Sequence, residues 1–156
     1  MTKEERDLLL KDVCSRLPYK VKFSVSDPLL GDIIVIPHTL YDLRDFSCHT
    51  EDSKYEQLYT VEQIKPFLRP LSSMTKKEKK NLLECLFEEK SNLFSIDNEG
   101  VIESISSFSD EMTWVTFYPR NIKIYIDFMN SHHIDYNGLI KEGLALKAPK
   151  GMYIIK

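Results

Sequence analysis

A chain of 156 residues, of which 42% are hydrophobic and 29% charged, is long enough to form one domain with a substantial core. The formal net charge of −3 gives no whole-molecule attraction to nucleic acid or anionic lipid, so either would need a local basic patch. No apolar run approaches the roughly 18 residues of a membrane span, and residues 1–7 lack the apolar stretch of a signal peptide. We therefore expect a cytoplasmic protein that does not associate with a membrane.

Two capping boxes predict where long helices begin. Thr2 with Glu5, and Thr75 with Glu78, each place a hydroxyl acceptor at the N-cap and a carboxylate three residues later. Proline ends the first of these helices, because a residue before proline avoids the helical region. The predicted helices span residues 2–17 and 75–89.

Strands are predicted where β-branched and aromatic residues alternate or cluster. The run 33–36 is apolar at every position, which predicts a strand covered on both faces. Glycine at the left-handed position of the segment 97–100 predicts a hairpin turn. The predicted strands are residues 21–25, 33–36, 41–46, 55–59 and 112–118, and residues 67–71 are expected to be extended between prolines.

Three weaker signals predict further helical structure. Thr60 with Gln63 predicts about one helical turn, and Pro119 suits the first turn of a helix. Asp135 can cap a short last helix that Gly143 closes. The helix after Pro119 is expected to bury one face, made of Ile122, Tyr125, Ile126 and Met129. Together these elements predict an α+β fold over residues 1–156, a single domain with a small antiparallel sheet flanked by about four helices.

The sequence lacks the common motifs for phosphate-binding loops, zinc proteases, serine hydrolases and calcium loops. The densest group of potential metal ligands is Cys48 and His49 together with His132, His133 and Asp135, but their spacing does not match a zinc site. We interpret the first two as part of an exposed loop and the histidines as the end of a helix. No metal or cofactor is expected, and the widely spaced cysteines predict free thiols.

Several basic residues surround the predicted start of the second long helix. Cations at a helix N-terminus oppose the positive end of its dipole, so their presence is locally unfavourable. One interpretation is a patch that binds anions or nucleic acid. The other is a solvated helix end whose positive charge is offset by glutamates further along the helix. The candidate binding residues are Lys65, Arg69, Lys76, Lys77, Lys79 and Lys80.

Three segments carry a resemblance to a known family: residues 8–22, 64–78 and 128–153, the last including Asp135-Tyr-Asn-Gly-Leu-Ile140 and Gly143-Leu-Ala-Leu146. The chain resembles a family of small proteins found in Bacteroides-group gut bacteria, their prophages and related phages. That family has no established activity, cofactor or catalytic residue. The resemblance implies a bacterial cytoplasm and a mobile genetic element as the setting.

These observations rank three functions. The leading hypothesis is an accessory protein that acts by binding another protein. The alternative is a nucleic-acid-binding protein that uses the basic residues around the second helix. The third is a small hydrolase with a His/Asp site (His132 or His133 with Asp135) or a Cys/His site (Cys48 with His49).

Overall fold

A computed structural model describes residues 1–27, 31–40, 45–50, 57–104 and 119–153. Within these residues the chain combines helices and strands, which confirms the α+β class. There are three α-helices there rather than about four. They are α1 (Lys3–Arg16), α2 (Lys76–Phe87) and α3 (Pro119–Ser131).

The described residues contain nine strands: β1 (Phe23–Asp27), β2 (Gly31–Leu40), β3 (Asp45–His49), β4 (Gln57–Thr60), β5 (Ile64–Pro70), β6 (Phe94–Ile96), β7 (Ile102–Ser104), β8 (Ile134–Asp135) and β9 (Leu146–Lys147). Seven of them form one sheet, and β6 and β7 form a separate hairpin. The order of the large sheet is β4-β3-β2-β1-β5-β8, and β9 also pairs with β5. This sheet is mixed rather than purely antiparallel, because β8 and β9 both run parallel to β5.

A first core lies between α1 and the large sheet. The Thr2 hydroxyl accepts from the Glu5 N–H and the Glu5 carboxylate accepts from the Thr2 N–H, so the first predicted capping box is formed. Leu9 and Val13 of α1 are fully buried against the sheet. The other buried members of this core are Val21, Phe23, Val25, Val35, Phe46, Cys48, Tyr59, Val61, Ile64, Leu68, Leu139, Leu144 and Ala145.

Strand β2 differs from the prediction in length and in burial. It spans ten residues and pairs with β1 from Asp27↔Gly31 to Phe23↔Val35. Val35 is buried, but Ile34 on the opposite face is 44% exposed, so the prediction of a strand covered on both faces is wrong. Side chains alternate between the faces of a strand, and only one face of this sheet packs on α1.

A second core joins α2, α3 and the β6–β7 hairpin. The predicted box at Thr75 and Glu78 opens α2, and the predicted turn at residues 97–100 connects the hairpin. Gly100 has a φ of +83°, a conformation that favours glycine, and a Cβ there would lie 2.9 Å from Leu71 Cδ2, so that side chain would have to shift. The buried members of this core are Met74, Leu82, Leu83, Leu86, Ile96, Met129 and Ile134.

Helix α3 begins at Pro119, as predicted, but only Tyr125 and Met129 of the four residues expected on its buried face pack in this core. Ile122 is 55% exposed and Ile126 is 37% exposed. The buried Asn121 donates from its amide to the Leu86 carbonyl oxygen at 2.7 Å, and this bond fixes the rotation of α3 on α2. The apolar side chains that α3 turns toward this core are Ile124, Tyr125, Phe128 and Met129.

The predicted last helix is wrong. Ile134 and Asp135 form β8 beside β5, and turns follow it rather than a helix. The Asp135 carboxylate accepts from the Leu139 and Ile140 N–H groups at 2.8 and 2.9 Å. A capping residue in a turn has the same sequence signature as one at a helix start.

The helical turn predicted from Thr60 and Gln63 is also wrong, because these residues form a turn between two strands. The Gln63 side-chain oxygen accepts from the Thr60 N–H at 2.9 Å, and the Gln63 N–H donates to the Thr60 carbonyl oxygen at 3.0 Å. These bonds close the turn between β4 and β5, and Pro66 lies inside β5 instead of ending a helix.

Some predictions fall on other parts of the chain. The predicted strand at residues 112–118 lies outside the described residues, as do parts of those at 41–46 and 55–59. The single-domain boundary at 1–156 stays a prediction. Across the described ranges, no helix is both long and apolar enough to cross a membrane.

Candidate functional site: a basic cleft

A cleft of about 530 Å³ opens where the start of α2, the end of β5 and the segment after β9 meet. β9 brings the last of these into place, because it pairs with Phe67 and Leu68 of β5 and the Ala148 N–H donates to the Leu68 carbonyl oxygen at 2.8 Å. The lining residues are Arg69, Pro70, Ser73, Thr75, Lys77, Glu78, Asn81, His132, Lys147, Ala148, Pro149, Lys150, Gly151 and Tyr153.

Arg69 and Glu78 form a two-pronged ion pair on one wall of the cleft. The guanidinium nitrogens donate to the two carboxylate oxygens at 2.7 and 3.1 Å. Burial alone would raise the pKa of Glu78, but hydrogen bonds from Arg69 and Thr75 and the guanidinium charge lower it to about 2. Arg69 also donates to the carbonyl oxygens of Ser73 and His132, so both of its terminal nitrogens are engaged within the protein.

Three lysines at the cleft carry charges that the described part of the chain does not neutralise. Lys77 comes from α2, Lys147 from β9 and Lys150 from the segment that follows. All three side chains are exposed, and none makes an ion pair or hydrogen bond within the described ranges. Glu78 is the carboxylate among the lining residues, and Arg69 already balances it. The cleft is therefore a local centre of positive charge on a chain whose net charge is −3.

The remaining predicted basic residues do not line the cleft. Lys79 donates to the Asp97 carbonyl oxygen at 2.8 Å and to the Asn98 side chain at 3.2 Å, which fastens α2 to the hairpin. Lys80 pairs with Glu84 on the surface of α2 at 3.6 Å. Lys65 and Lys76 are exposed outside the cleft. Of the predicted cluster, Arg69 and Lys77 contribute to the site.

His132 lies at the wall of the cleft just beyond α3. Its ring stacks on Phe128 with centroids 4.0 Å apart, and Nδ1 lies 2.9 Å from the Phe128 carbonyl oxygen. A carbonyl oxygen can only accept, so Nδ1 carries a proton and Nε2 is the nitrogen left for other contacts. The predicted position at a helix end is therefore correct, and the ring is held by its own helix.

His133 lies behind the cleft and is 5% exposed. Its ring stacks on the cleft-lining Tyr153, with centroids 3.7 Å apart. Burial and the nearby charges of Arg16, His132 and Arg69 lower the pKa of His133 to about 3. The Tyr153 hydroxyl donates to the Phe67 carbonyl oxygen at 2.8 Å, and the stacked pair forms a fixed inner wall.

The predicted His/Asp and Cys/His sites are not assembled as reactive pairs. Both Asp135 oxygens accept backbone N–H groups of the following turn. Cys48 and His49 lie in β3 rather than in an exposed loop, and burial raises the pKa of the Cys48 thiol to about 12. All three cysteines are free. Within the described residues, no three histidine, cysteine or acidic side chains are grouped so that they could hold a metal ion.

Sequence analysis missed the half of the cleft that comes from the end of the chain. Lys147, Lys150 and Tyr153 approach Lys77 only because β9 pairs with β5, a contact between distant segments. The available signal was the pair of lysines flanking Pro149, next to a glycine that marks a turn. No family model, characterised protein or solved structure that was compared with the chain matches it.

Proposed function

We propose that this protein acts by binding, and that its cleft receives a short acidic segment of a partner protein. The observation that carries the proposal is that Lys77, Lys147 and Lys150 line one cleft and have no acidic partner among the described residues. Like charges around one cleft repel one another, and an anionic ligand reduces that repulsion. Arg69 and Glu78 shape the wall but contribute little net charge.

The size and lining of the cleft suit a short ligand with both apolar and anionic parts. Its volume of about 530 Å³ is in the range of roughly 300–1,000 Å³ that is usual for ligand pockets. Pro70, Ala148, Pro149 and Tyr153 give apolar surface for a peptide backbone and its aliphatic groups, while the lysines lie around it. An acidic peptide segment combines these two properties.

A nucleic acid fits the arrangement less well. Binding a phosphate backbone calls for a row of cations along the strand. Lys79 and Lys80 are engaged with Asp97, Asn98 and Glu84, so they do not extend the cleft into such a row. The setting implied by the family resemblance, that of an accessory protein, agrees with a protein partner and stays a proposal.

The first experiment follows the amide NMR spectrum of the full chain during titration with a short oligoglutamate peptide, and with an oligolysine peptide as a control. We expect oligoglutamate to shift amides of residues 73–78 and 147–151, and oligolysine to leave them in place. Binding should weaken as salt is added, because the lysines are exposed. Shifts that are equal for both peptides, or that lie elsewhere, would contradict the proposal.

Two charge-reversal variants make the experiment specific. Lys77→Glu with Lys150→Glu changes the cleft, whereas Lys65→Glu with Lys80→Glu changes the net charge equally outside it. We expect the cleft variant to bind oligoglutamate about tenfold more weakly or worse, since each exposed pair contributes up to about 1 kcal/mol. The second variant should bind like the parent. If it loses as much, or if a single-stranded oligonucleotide binds the parent more tightly than oligoglutamate, the nucleic-acid hypothesis is the better one.

A further inference from the structure

We infer that the anionic group read by the cleft is a phosphate monoester on the partner segment, so that phosphorylation of the partner controls binding. This inference rests on the proposed function, because it names the chemistry of the same ligand. Three lysines without a counter-charge among the described residues line the cleft, and the guanidinium of Arg69 already binds a carboxylate. That combination matches a compact dianion better than a single carboxylate.

The first step concerns charge. A phosphorylated side chain carries about −1.5 to −2 charges at neutral pH on three acceptor oxygens, whereas a carboxylate carries one charge on two oxygens. Lys77, Lys147 and Lys150 have no counter-charge in the described part of the chain. One phosphate can contact ammonium groups that approach it from different sides. A lone carboxylate would leave part of the positive charge uncompensated.

The second step concerns the type of cation. Arginine binds carboxylates and phosphates alike through two parallel N–H bonds, whereas lysine acts as a point charge whose attraction grows with the charge of the ligand. The guanidinium at the cleft, that of Arg69, already holds Glu78 in this two-pronged way. The planar carboxylate site is thus filled from within the protein, and the cations left for a ligand are lysines.

The third step concerns hydroxyl donors. The Ser73 side chain is exposed at the cleft and has no hydrogen-bond partner within the described residues, so it can donate to a phosphate oxygen. The Thr75 hydroxyl is already engaged, because it accepts from the Glu78 N–H at 3.2 Å and its hydrogen bond to the Glu78 carboxylate helps to lower that pKa. Ser73 is therefore the hydroxyl donor open to a ligand on the α2 side of the cleft.

The test uses three fluorescent peptides of the same neutral sequence, with a central phosphoserine, glutamate or serine. We expect the phosphoserine peptide to bind the full chain about tenfold more tightly than the glutamate peptide or better, because its extra charge acts on exposed ammonium groups. The serine peptide should not bind measurably. Lys77→Gln and Lys150→Gln should each weaken binding of the phosphoserine peptide, and Lys65→Gln should not.

The outcomes separate this inference from the proposed function. Equal binding of the phosphoserine and glutamate peptides, with shifts at the cleft amides, would keep the acidic segment and overturn the phosphate. Failure of both peptides to shift the cleft amides would overturn both. A control with inorganic phosphate distinguishes a phosphorylated segment from free phosphate as the ligand. If inorganic phosphate binds as tightly as the phosphoserine peptide, the peptide segment around the phosphate contributes nothing, and the inference is overturned. Competition by inorganic phosphate only at much higher concentration supports the phosphorylated segment.

Discussion

Two arginine–carboxylate pairs lie on either side of residues 132–137, and they differ in their access to solvent. Arg16 and Asp12 of α1 form a pair at 2.7 and 2.9 Å, and both side chains are fully buried. Arg69 and Glu78 form a pair with similar distances at the wall of the cleft. The first arginine donates to the Ile134 carbonyl oxygen, and the second donates to that of His132. The same chemistry thus holds one segment from two sides.

The difference shows which charges a ligand can reach. The Asp12–Arg16 pair is closed off by Tyr136, whose ring lies 5.2 Å below the guanidinium, and by Asn137, which donates to Asp12 at 2.8 Å. The Arg69–Glu78 pair borders the cleft, but both terminal nitrogens of Arg69 are engaged. Both pairs are therefore structural, and the charges open to a ligand at the cleft are those of the lysines.

The largest expected effect comes from breaking the closed pair. Asp12→Ala would leave the Arg16 guanidinium buried without its carboxylate, and we expect a loss of about 3–5 kcal/mol in the free energy of unfolding. Chemical denaturation at neutral pH measures it. Lys11→Ala, at the adjacent exposed position of α1, is the control and should change stability by no more than about 0.5 kcal/mol.

A double variant sharpens this prediction. Asp12→Leu with Arg16→Met removes both charges, and we expect it to lose less stability than Asp12→Ala, because no buried charge is left unpaired. If Asp12→Ala and Lys11→Ala gave equally small losses, the pair would not be holding the segment in place.

Local signals predicted where α1 and α2 begin, because a capping box is made by residues within one helical turn. They did not predict the two ion pairs equally well. Asp12 and Arg16 are four residues apart on a helix, so their contact follows from the spacing, but their burial depends on how residues 134–137 fold over them. Arg69 and Glu78 meet only because a short 3-10 turn, Leu71–Ser73, leads the chain from β5 into α2.

The next largest expected effect is a pH dependence that comes from His133, a residue whose pKa is lowered by burial and then by the charges of both arginines. The unfolded chain binds a proton near pH 6.5, whereas the folded chain resists it until about pH 3. Stability is therefore complete above pH 6.5 and falls as the pH drops toward 3. Over that window the loss is on the order of 1 kcal/mol per pH unit.

His133→Asn tests this origin, because asparagine does not titrate and tolerates the positive φ of 55° at this position. We expect the variant to be less stable at neutral pH, since it loses the ring stacked on Tyr153, but to show a flatter dependence between pH 6.5 and 4.5. Unfolding by urea at a series of pH values measures the slope. An unchanged slope would assign the pH dependence to another group.

The cleft itself was only half predictable. Lys77 and Arg69 are visible as basic residues near a helix start, whereas Lys147 and Lys150 reach them through two-residue strands that have no sequence signature of their own. The Asp135 signal pointed to a helix because a capping carboxylate in a turn and one at a helix start accept from the same kind of N–H group. Long-range pairing decided between the two structures.

The smallest expected effect concerns the Arg69–Glu78 pair, which can be compared with Glu5, an equivalent position without an arginine partner. Glu78 and Glu5 occupy the same place in their capping boxes, yet Glu78 also binds Arg69 and remains charged down to about pH 2. Glu78→Gln keeps the shape and removes the charge, and we expect a loss of about 1 kcal/mol at neutral pH, the difference between charged and neutral hydrogen bonds. Glu5→Gln should lose less than about 0.5 kcal/mol.

Because the pKa of Glu78 is lowered, the difference between the two variants should shrink as the pH falls from 4.5 toward 2, where the wild-type carboxylate takes up its proton. Thermal or urea unfolding at both ends of that range measures it, and equal losses at neutral pH would mean that Arg69 adds nothing to the cap.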